Sequence, residues 1–117
     1  MLSLAHNTRI YVYLPPADLR KSFDGLTGLV RSAFAADPRD GSWFLFFNKR
    51  RDRLKVLAWE PDGFFIWYKH LAAGTFETLQ VAGEANAVEL NVTQLTLLLS
   101  GVNLATAHRR KRFAASA

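Results

Sequence analysis

The 117-residue chain contains no cysteine. The fold therefore has neither a disulfide nor a thiolate metal site, and a reducing compartment is compatible with it. No stretch approaches the roughly 18 consecutive apolar residues that a membrane helix needs. The first residues show no apolar run followed by a small-residue cleavage site, so we expect no signal peptide, no membrane partner and a cytoplasmic location.

Sequence motifs of enzymes are also missing. None of His6, His70 and His108 has a metal-binding partner three or four residues away. The ten carboxylates are dispersed, and the one close pair, Asp37 and Asp40, falls in a predicted loop. No nucleophile motif of the G-x-S-x-G type occurs. We therefore predict a protein that is not an enzyme and that uses no metal or cofactor.

What the chain does contain is enough apolar material for a core. Half of its residues are hydrophobic and 13% are aromatic, which argues against disorder. The length suits one domain. We place a single α+β domain over residues 1–105 and a basic, flexible tail over residues 106–117.

The hydrophobic pattern predicts two helices and several strands. Arg9–Leu14 is β-branched and aromatic and ends at two prolines, which indicates an edge strand. A helix with Ser22 as N-cap follows. Its apolar stripe consists of residues at helical spacing: Phe23, Leu26, Leu29, Val30 and Phe34. A second helix follows Asn91, where Gln94 completes a capping box and Gly101 ends the helix.

Three strand-like runs lie between the helices. They begin at Trp43, Arg53 and Gly63 and are separated by two short polar connectors, which predicts an antiparallel meander. The run 43–47 is apolar on both faces and is therefore placed at the centre of the sheet. We predict an α+β fold: an antiparallel sheet of four to five strands with this central meander and two main helices packed on it.

The net charge of +5 is unevenly distributed. Five of the 15 cations lie in 49–55 and four in 109–112. Long cations at a hairpin tip can simply keep the turn solvated and protect the sheet edge. Such density also creates repulsion that a phosphate backbone would relieve. The sequence leaves both interpretations open, and nucleic acid is the polyanion that such a chain most commonly binds.

Aromatic residues alternate with the cations on the two later strands. Arg53, Lys55 and Trp59 share one face of the second strand. We expect this face to align with three residues of the third strand: Phe65, Trp67 and Lys69. A basic face with interleaved aromatic rings can stack the bases of a single strand. The alternative is that both tryptophans lie beneath the helices and only the cations reach water.

Two further basic segments are candidates for phosphate contact. Arg20 and Lys21 stand directly before the first helix, whose free N–H groups favour anions, although Asp18 or Asp24 can pair with them instead. Residues 109–112 form either a solvated end or an arm that follows DNA. The predicted nucleic-acid-binding residues are Arg20, Lys21, Lys49, Arg50, Arg51, Arg53, Lys55, Arg109, Arg110, Lys111 and Arg112.

Four stretches of the chain together resemble a known family. They cover about Leu2 to Phe113: TRIYVYLPPADLRKSFDGLTGLV, FFNKRRDRLKVLAWEPDGFFIWYKHLAAGTF, LNVTQLTLLLSGVNL and RRKRF. The family is the TnpB-type accessory proteins of bacterial insertion sequences of the sixty-six family, which are unrelated to the RNA-guided nucleases of the same name. Arg20–Leu26 and Phe47–Lys55 are the most specific pieces. Ala17 departs from the Thr or Ser common there.

The resemblance implies a role in DNA transposition beside a separate, larger transposase, and it carries over no catalytic residues. Combined with the charge pattern, it predicts a non-catalytic accessory protein that binds DNA, at the ends of its insertion sequence, through the basic hairpin and tail. The alternative is an adaptor that docks on the transposase, or on another accessory protein of the insertion sequence, through an aromatic surface.

Overall fold

The computed structural model describes residues 8–80, 83 and 85–105. The elements in chain order are β1 (Ile10–Tyr13), α1 (Phe23–Ala33), β2 (Trp43–Phe47), β3 (Arg53–Glu60), β4 (Gly63–His70), β5 (Ala87–Leu90) and α2 (Val92–Ser100). The strands form one sheet in the order β4-β3-β2-β1-β5. The α+β class, with five strands, a meander and two helices, is confirmed.

The sheet is mixed, because β1 and β2 run parallel while every other neighbouring pair is antiparallel. Helix α1 connects β1 to β2 as a crossover, and a crossover returns the chain in the same direction. The prediction that β1 is an edge strand is wrong. Strand β5 pairs along its outer side, with Ile10 opposite Leu90, and the two prolines lie beyond the paired residues.

Strand β2 occupies the centre of the sheet, as predicted, and all five of its residues are buried. Phe44 and Phe46 pack with α1 on one face. Leu45 and Phe47 pack with α2 and Phe76 on the other. A strand covered on both faces needs apolar residues at every position, which is why it reads as an unbroken apolar run.

Helix α1 begins after Ser22, as predicted, but the Ser22 side chain makes no capping hydrogen bond. The predicted apolar stripe starts one turn too early, because Phe23 is 42% exposed. Leu26 and Val30 are the fully buried residues of this helix. Phe23, in the first turn of α1, thus lies outside the core.

Helix α2 has the complete set of predicted end signals. The Asn91 side chain accepts a hydrogen bond from the Gln94 N–H at 2.7 Å, and the Gln94 side chain accepts one from the Asn91 N–H at 2.9 Å. Gly101 ends the helix in the left-handed conformation, with φ of 87°. Leu95 and Leu98 anchor the helix in the core.

Removing the cap is expected to weaken the whole domain. Replacing Asn91 with alanine leaves the Gln94 N–H without its acceptor, and such losses cost about 1 kcal/mol. Urea unfolding should show a decrease of that size in the free energy of unfolding. Asn91→Ser, which keeps an acceptor oxygen, is the control and should lose much less; an equal loss in both variants would contradict the capping role.

Candidate nucleic-acid interface

One end of the sheet collects the predicted basic residues. Strand β3 begins at this end, and strands β2 and β4 end there. The segment before α1 crosses the same end, where the Ala17 N–H donates to the Phe47 carbonyl at 2.8 Å. We call this region the basic end and define it by six cations from two segments of the chain: Arg20, Lys21, Lys49, Arg50, Arg53 and Lys55.

Asn48 organises the loop between β2 and β3. Its side-chain oxygen accepts hydrogen bonds from the backbone N–H groups of Asp52 and Arg53, at 3.1 and 2.9 Å, and its amide donates to the Asp52 carboxylate at 2.6 Å. The last of these hydrogen bonds is the main reason that the pKa of Asp52 is lowered. The loop is therefore held in one shape, with a charged Asp52 directed back toward the sheet rather than outward.

Arg53 and Lys55 lie on the α1 face of β3 and join the start of α1 to the sheet. Arg53 Nη1 donates to the Tyr68 hydroxyl at 3.3 Å, and Lys55 Nζ lies 5.0 Å from the centre of the Tyr68 ring. Lys55 Nζ also donates to the Lys21 carbonyl at 2.9 Å. These contacts bring Lys21 beside Lys55, although the two are far apart in sequence.

A glycine makes room for Lys21. A Cβ placed on Gly25 would lie 2.9 Å from the Lys21 Cβ, so any larger residue would push the lysine stem away. Gly25 thus contributes to the basic end by its small size. A glycine inside a helix normally weakens it, and nothing in the sequence indicates that the Lys21 side chain fills the space beside Gly25.

Arg20 is bound to a carboxylate but remains accessible. Its Nη2 lies 2.8 Å from Asp18 Oδ2, and its side chain is 92% exposed. Hydrogen bonds from the Arg20 side chain and backbone lower the pKa of Asp18 to about 2. Together with Asn48, Arg53 and Tyr68, the pair lines an open hollow of about 280 Å³.

Lys49 and Arg50 form the exposed tip of the loop. Both side chains face solvent, and neither makes an ion pair within the described residues. Lys21, Arg53 and Lys55 also make no ion pair within the described residues. Of the six cations that define the basic end, Arg20 alone is paired with a carboxylate in the described part of the chain.

Arg51 differs from its two neighbours. Its φ of 58° turns the side chain inward, where the guanidinium lies 4.2 Å from the centre of the Phe47 ring. The guanidinium also donates to the carbonyls of Phe76 and Glu77. Arg51 thus joins the loop to the α2 side of the core, and we leave it out of the contact set proposed below.

The tail cations are outside the described residues. Arg109, Arg110, Lys111 and Arg112, and the boundary of a tail at 106, therefore remain predictions.

The predicted alignment of the aromatic residues is wrong by one position. Trp59 lies opposite Phe64 and Lys55 opposite Tyr68, whereas Trp67 lies opposite Val56 on the other face. A one-residue change of register moves every side chain of a strand to the opposite face. The two half-buried tryptophans therefore do not form one aromatic surface.

Two residues of this end were not among the predicted site residues. Tyr68, 48% exposed, is the aromatic residue that lies among the cations, and Asn48 orders the loop that carries them. Correct pairing of β3 with β4 would have revealed Tyr68. An Asn between a strand and a polar loop often forms hydrogen bonds with the backbone of a turn, so the sequence already indicated a structural role for Asn48.

Within residues 8–80, 83 and 85–105, no group of three or more His, Asp or Glu side chains is placed to hold a metal ion. Nor do those ranges include a helix with the length and apolar character needed to cross a bilayer.

Fold and site define a small α+β domain with cations gathered at one end of its sheet. The chain belongs to the family described as IS66 Orf2-like proteins, whose model matches residues 8–109. The resemblance noted above is thereby confirmed, and with it a transposition-associated accessory role.

Two curated relatives come from Sinorhizobium fredii strain NBRC 101917 / NGR234. The uncharacterized protein y4jC is 33% identical over 110 residues, which cover 94% of this chain and 92% of the relative. The uncharacterized protein y4hO is 29% identical over 103 residues, 88% of each chain. No solved structure matches the chain significantly.

Proposed function

We propose that this protein acts in transposition as a non-catalytic DNA-binding accessory whose basic end contacts the phosphate backbone. The observation that carries this proposal is the convergence of Lys21, Arg53 and Lys55, from two distant segments, beside the exposed tip formed by Lys49 and Arg50. Like charges gathered on one surface repel one another, and a polyanion that binds among them relieves the repulsion.

The contacts available at the basic end suit phosphate better than base edges. Lysine ammonium groups and arginine guanidinium groups on a sheet end and a short loop can reach phosphates, whereas none of the six cations lies within a described helix that could enter a major groove. Helix α1 presents its N-terminus there, and N-terminal N–H groups also favour anions. We therefore propose binding that is directed mainly to the backbone and depends weakly on sequence.

DNA is the partner that we propose for this surface, and the ends of the insertion sequence are the proposed place of binding. The transposase and a second accessory protein of the same insertion sequence are proposed as further partners. The adaptor alternative has less support from the geometry, because Trp59 and Trp67 lie on opposite faces of the sheet. A DNA-bound accessory can still present its other surfaces to the transposase.

A salt titration tests the phosphate role. If four cations each neutralise one phosphate, the logarithm of the binding constant should fall against the logarithm of salt concentration with a slope of about −3 to −4. Fluorescence anisotropy with a labelled duplex from the insertion-sequence end, between about 50 and 200 mM salt, measures this slope. Binding that does not change over this range, or no binding at all, would contradict the proposal.

A further inference from the structure

Strand β4 is a long edge of the sheet, and no other strand of the described residues pairs with its outer side. It runs for eight residues, Gly63–His70, and pairs on one side only, with β3. Its side chains are half-buried or exposed throughout, and most are apolar or aromatic. A shallow hollow of about 430 Å³ follows the first part of this edge, from Glu60 to Trp67.

The hydrogen-bond pattern shows which backbone groups point outward. The Leu71 N–H donates to the Asp52 carbonyl at 2.8 Å, which sets the phase of the ladder between β3 and β4. In an antiparallel pair, every second residue turns its N–H and C=O away from its neighbour. On β4 those residues are Phe64, Ile66, Tyr68 and His70. Within the described residues, these outward N–H and C=O groups form no hydrogen bond with another backbone group.

This edge lacks the devices that usually prevent strand pairing. Strand β4 contains no proline, and its one lysine stands near its end rather than in the middle. The opposite edge of the sheet, β5, is only four residues long and carries Glu89. One edge of the sheet is therefore long and apolar, and the opposite edge is short and protected. This difference indicates that β4 is the edge that receives another strand.

Charge identifies the strand that fits. Glu60 is the last residue of β3, Asp62 lies in the turn that leads into β4, and Lys69 lies near the end of β4. His70 follows Lys69, and its Nε2 lies 3.6 Å from Asp52 Oδ2 of the same chain. A second copy of β4, running antiparallel, brings the acidic residues before each strand toward Lys69 and His70 of the other copy. We propose that the protein forms a homodimer in which the β4 edges of two copies pair and the two sheets become one.

The register follows from the same constraints. In two registers, the outward backbone N–H and C=O groups of one copy lie opposite those of the other over seven of the eight residues of β4. One register is centred on Ile66 and the other on Trp67. The register centred on Ile66 places Asp62 of each copy opposite His70 of the other and Phe65 opposite Trp67. The register centred on Trp67 moves Lys69 and His70 away from Asp62 of the other copy, so we favour the register centred on Ile66.

The absence of cysteine makes this inference directly testable, because a single introduced cysteine can form a disulfide only with its copy. In the proposed register, Ile66→Cys faces itself across the two-fold axis, within the Cα separation of about 4.4–6.8 Å that a disulfide spans. Tyr68→Cys is the matched control on the same strand. Its two copies lie about 14 Å apart, at roughly 3.4 Å per residue over four residues.

We expect the unmodified protein, in the absence of DNA, to sediment at twice the chain mass of 13.2 kDa. Mild oxidation should cross-link folded Ile66→Cys and leave Tyr68→Cys uncross-linked. Tyr68→Pro removes one outward N–H without breaking the β3 ladder and should shift the mass toward that of the monomer.

A monomeric mass at all concentrations would overturn the proposal, including the case in which the chain's own residues cover the β4 edge. Cross-linking of Tyr68→Cys but not of Ile66→Cys would overturn the register. Should Ile66→Cys fail to fold by circular dichroism, the mass of Tyr68→Pro decides: a dimer that persists in this variant would overturn pairing through β4. None of these measurements depends on DNA binding.

Discussion

Replacing Arg51 with alanine should lower the free energy of unfolding by about 2–4 kcal/mol, among the larger effects of any single substitution outside the core. The guanidinium stacks on the Phe47 ring and donates to the carbonyls of Phe76 and Glu77. Hydrogen bonds from a charged donor contribute roughly 1.5–3 kcal/mol, and a partly desolvated cation over a ring adds about 0.5–2. Urea unfolding measures the change.

Arg50 supplies the matched control. It is the neighbouring arginine, but its side chain is exposed and makes no ion pair within the described residues. Arg50→Ala should change stability by no more than about 0.5 kcal/mol. Because arginine and alanine are both strained at a positive φ, Arg51→Ala leaves the backbone strain in place, and Arg51→Gly should lose less. Equal stability of the Arg50 and Arg51 alanine variants would show that the inward contacts of Arg51 contribute nothing.

Neutralising the loop tip should produce the largest change in DNA binding. In the double variant Lys49→Gln, Arg50→Gln, two proposed phosphate contacts are lost while the fold keeps all its interior contacts. The slope of the salt titration should become shallower by about 2, and affinity should fall by a similar factor for every duplex sequence. Anisotropy titrations of both proteins on the same duplexes provide the measurement.

Arg39→Gln is the control for a general charge effect. Arg39 lies in the loop before β2, whereas the basic end follows the last residue of β2, and it is paired with Asp37 at 3.5 Å. We expect this variant to keep the slope of the unmodified protein. If both variants changed the slope alike, binding would reflect net charge and not a localised surface.

The features that could be read from the sequence were the local ones. The capping box of Asn91 and Gln94 and the left-handed Gly101 depend on residues within one or two turns of each other, and all three are observed. The central position of β2 followed from its unbroken apolar run. The ends of α2 depend on contacts between residues that are close in sequence. The position of β2 depends on burial of both faces of one strand, which the composition of that strand indicates.

The errors concern partners that are distant in the chain. Whether β1 lies at an edge depended on β5, some 75 residues later, and the alternation of side chains on β3 and β4 did not determine which position faces which. Arg51 resembles Arg50 in the sequence and differs from it only because Phe47, Phe76 and Glu77 surround it in the fold.

By itself, the amino-acid sequence determined the family, the α+β class, the ends of α2 and the presence of dense positive charge. Only the tertiary structure decided that Lys21 stands beside Lys55, that Arg51 turns inward and that the tryptophans lie on opposite faces. It also decided that β4 is an edge strand whose outer side has no partner strand in the described part of the chain. The reason is physical. Charge and hydropathy belong to single residues. Proximity and register arise from pairing and packing between distant segments, and the sequence of one such segment does not indicate which other segment it contacts.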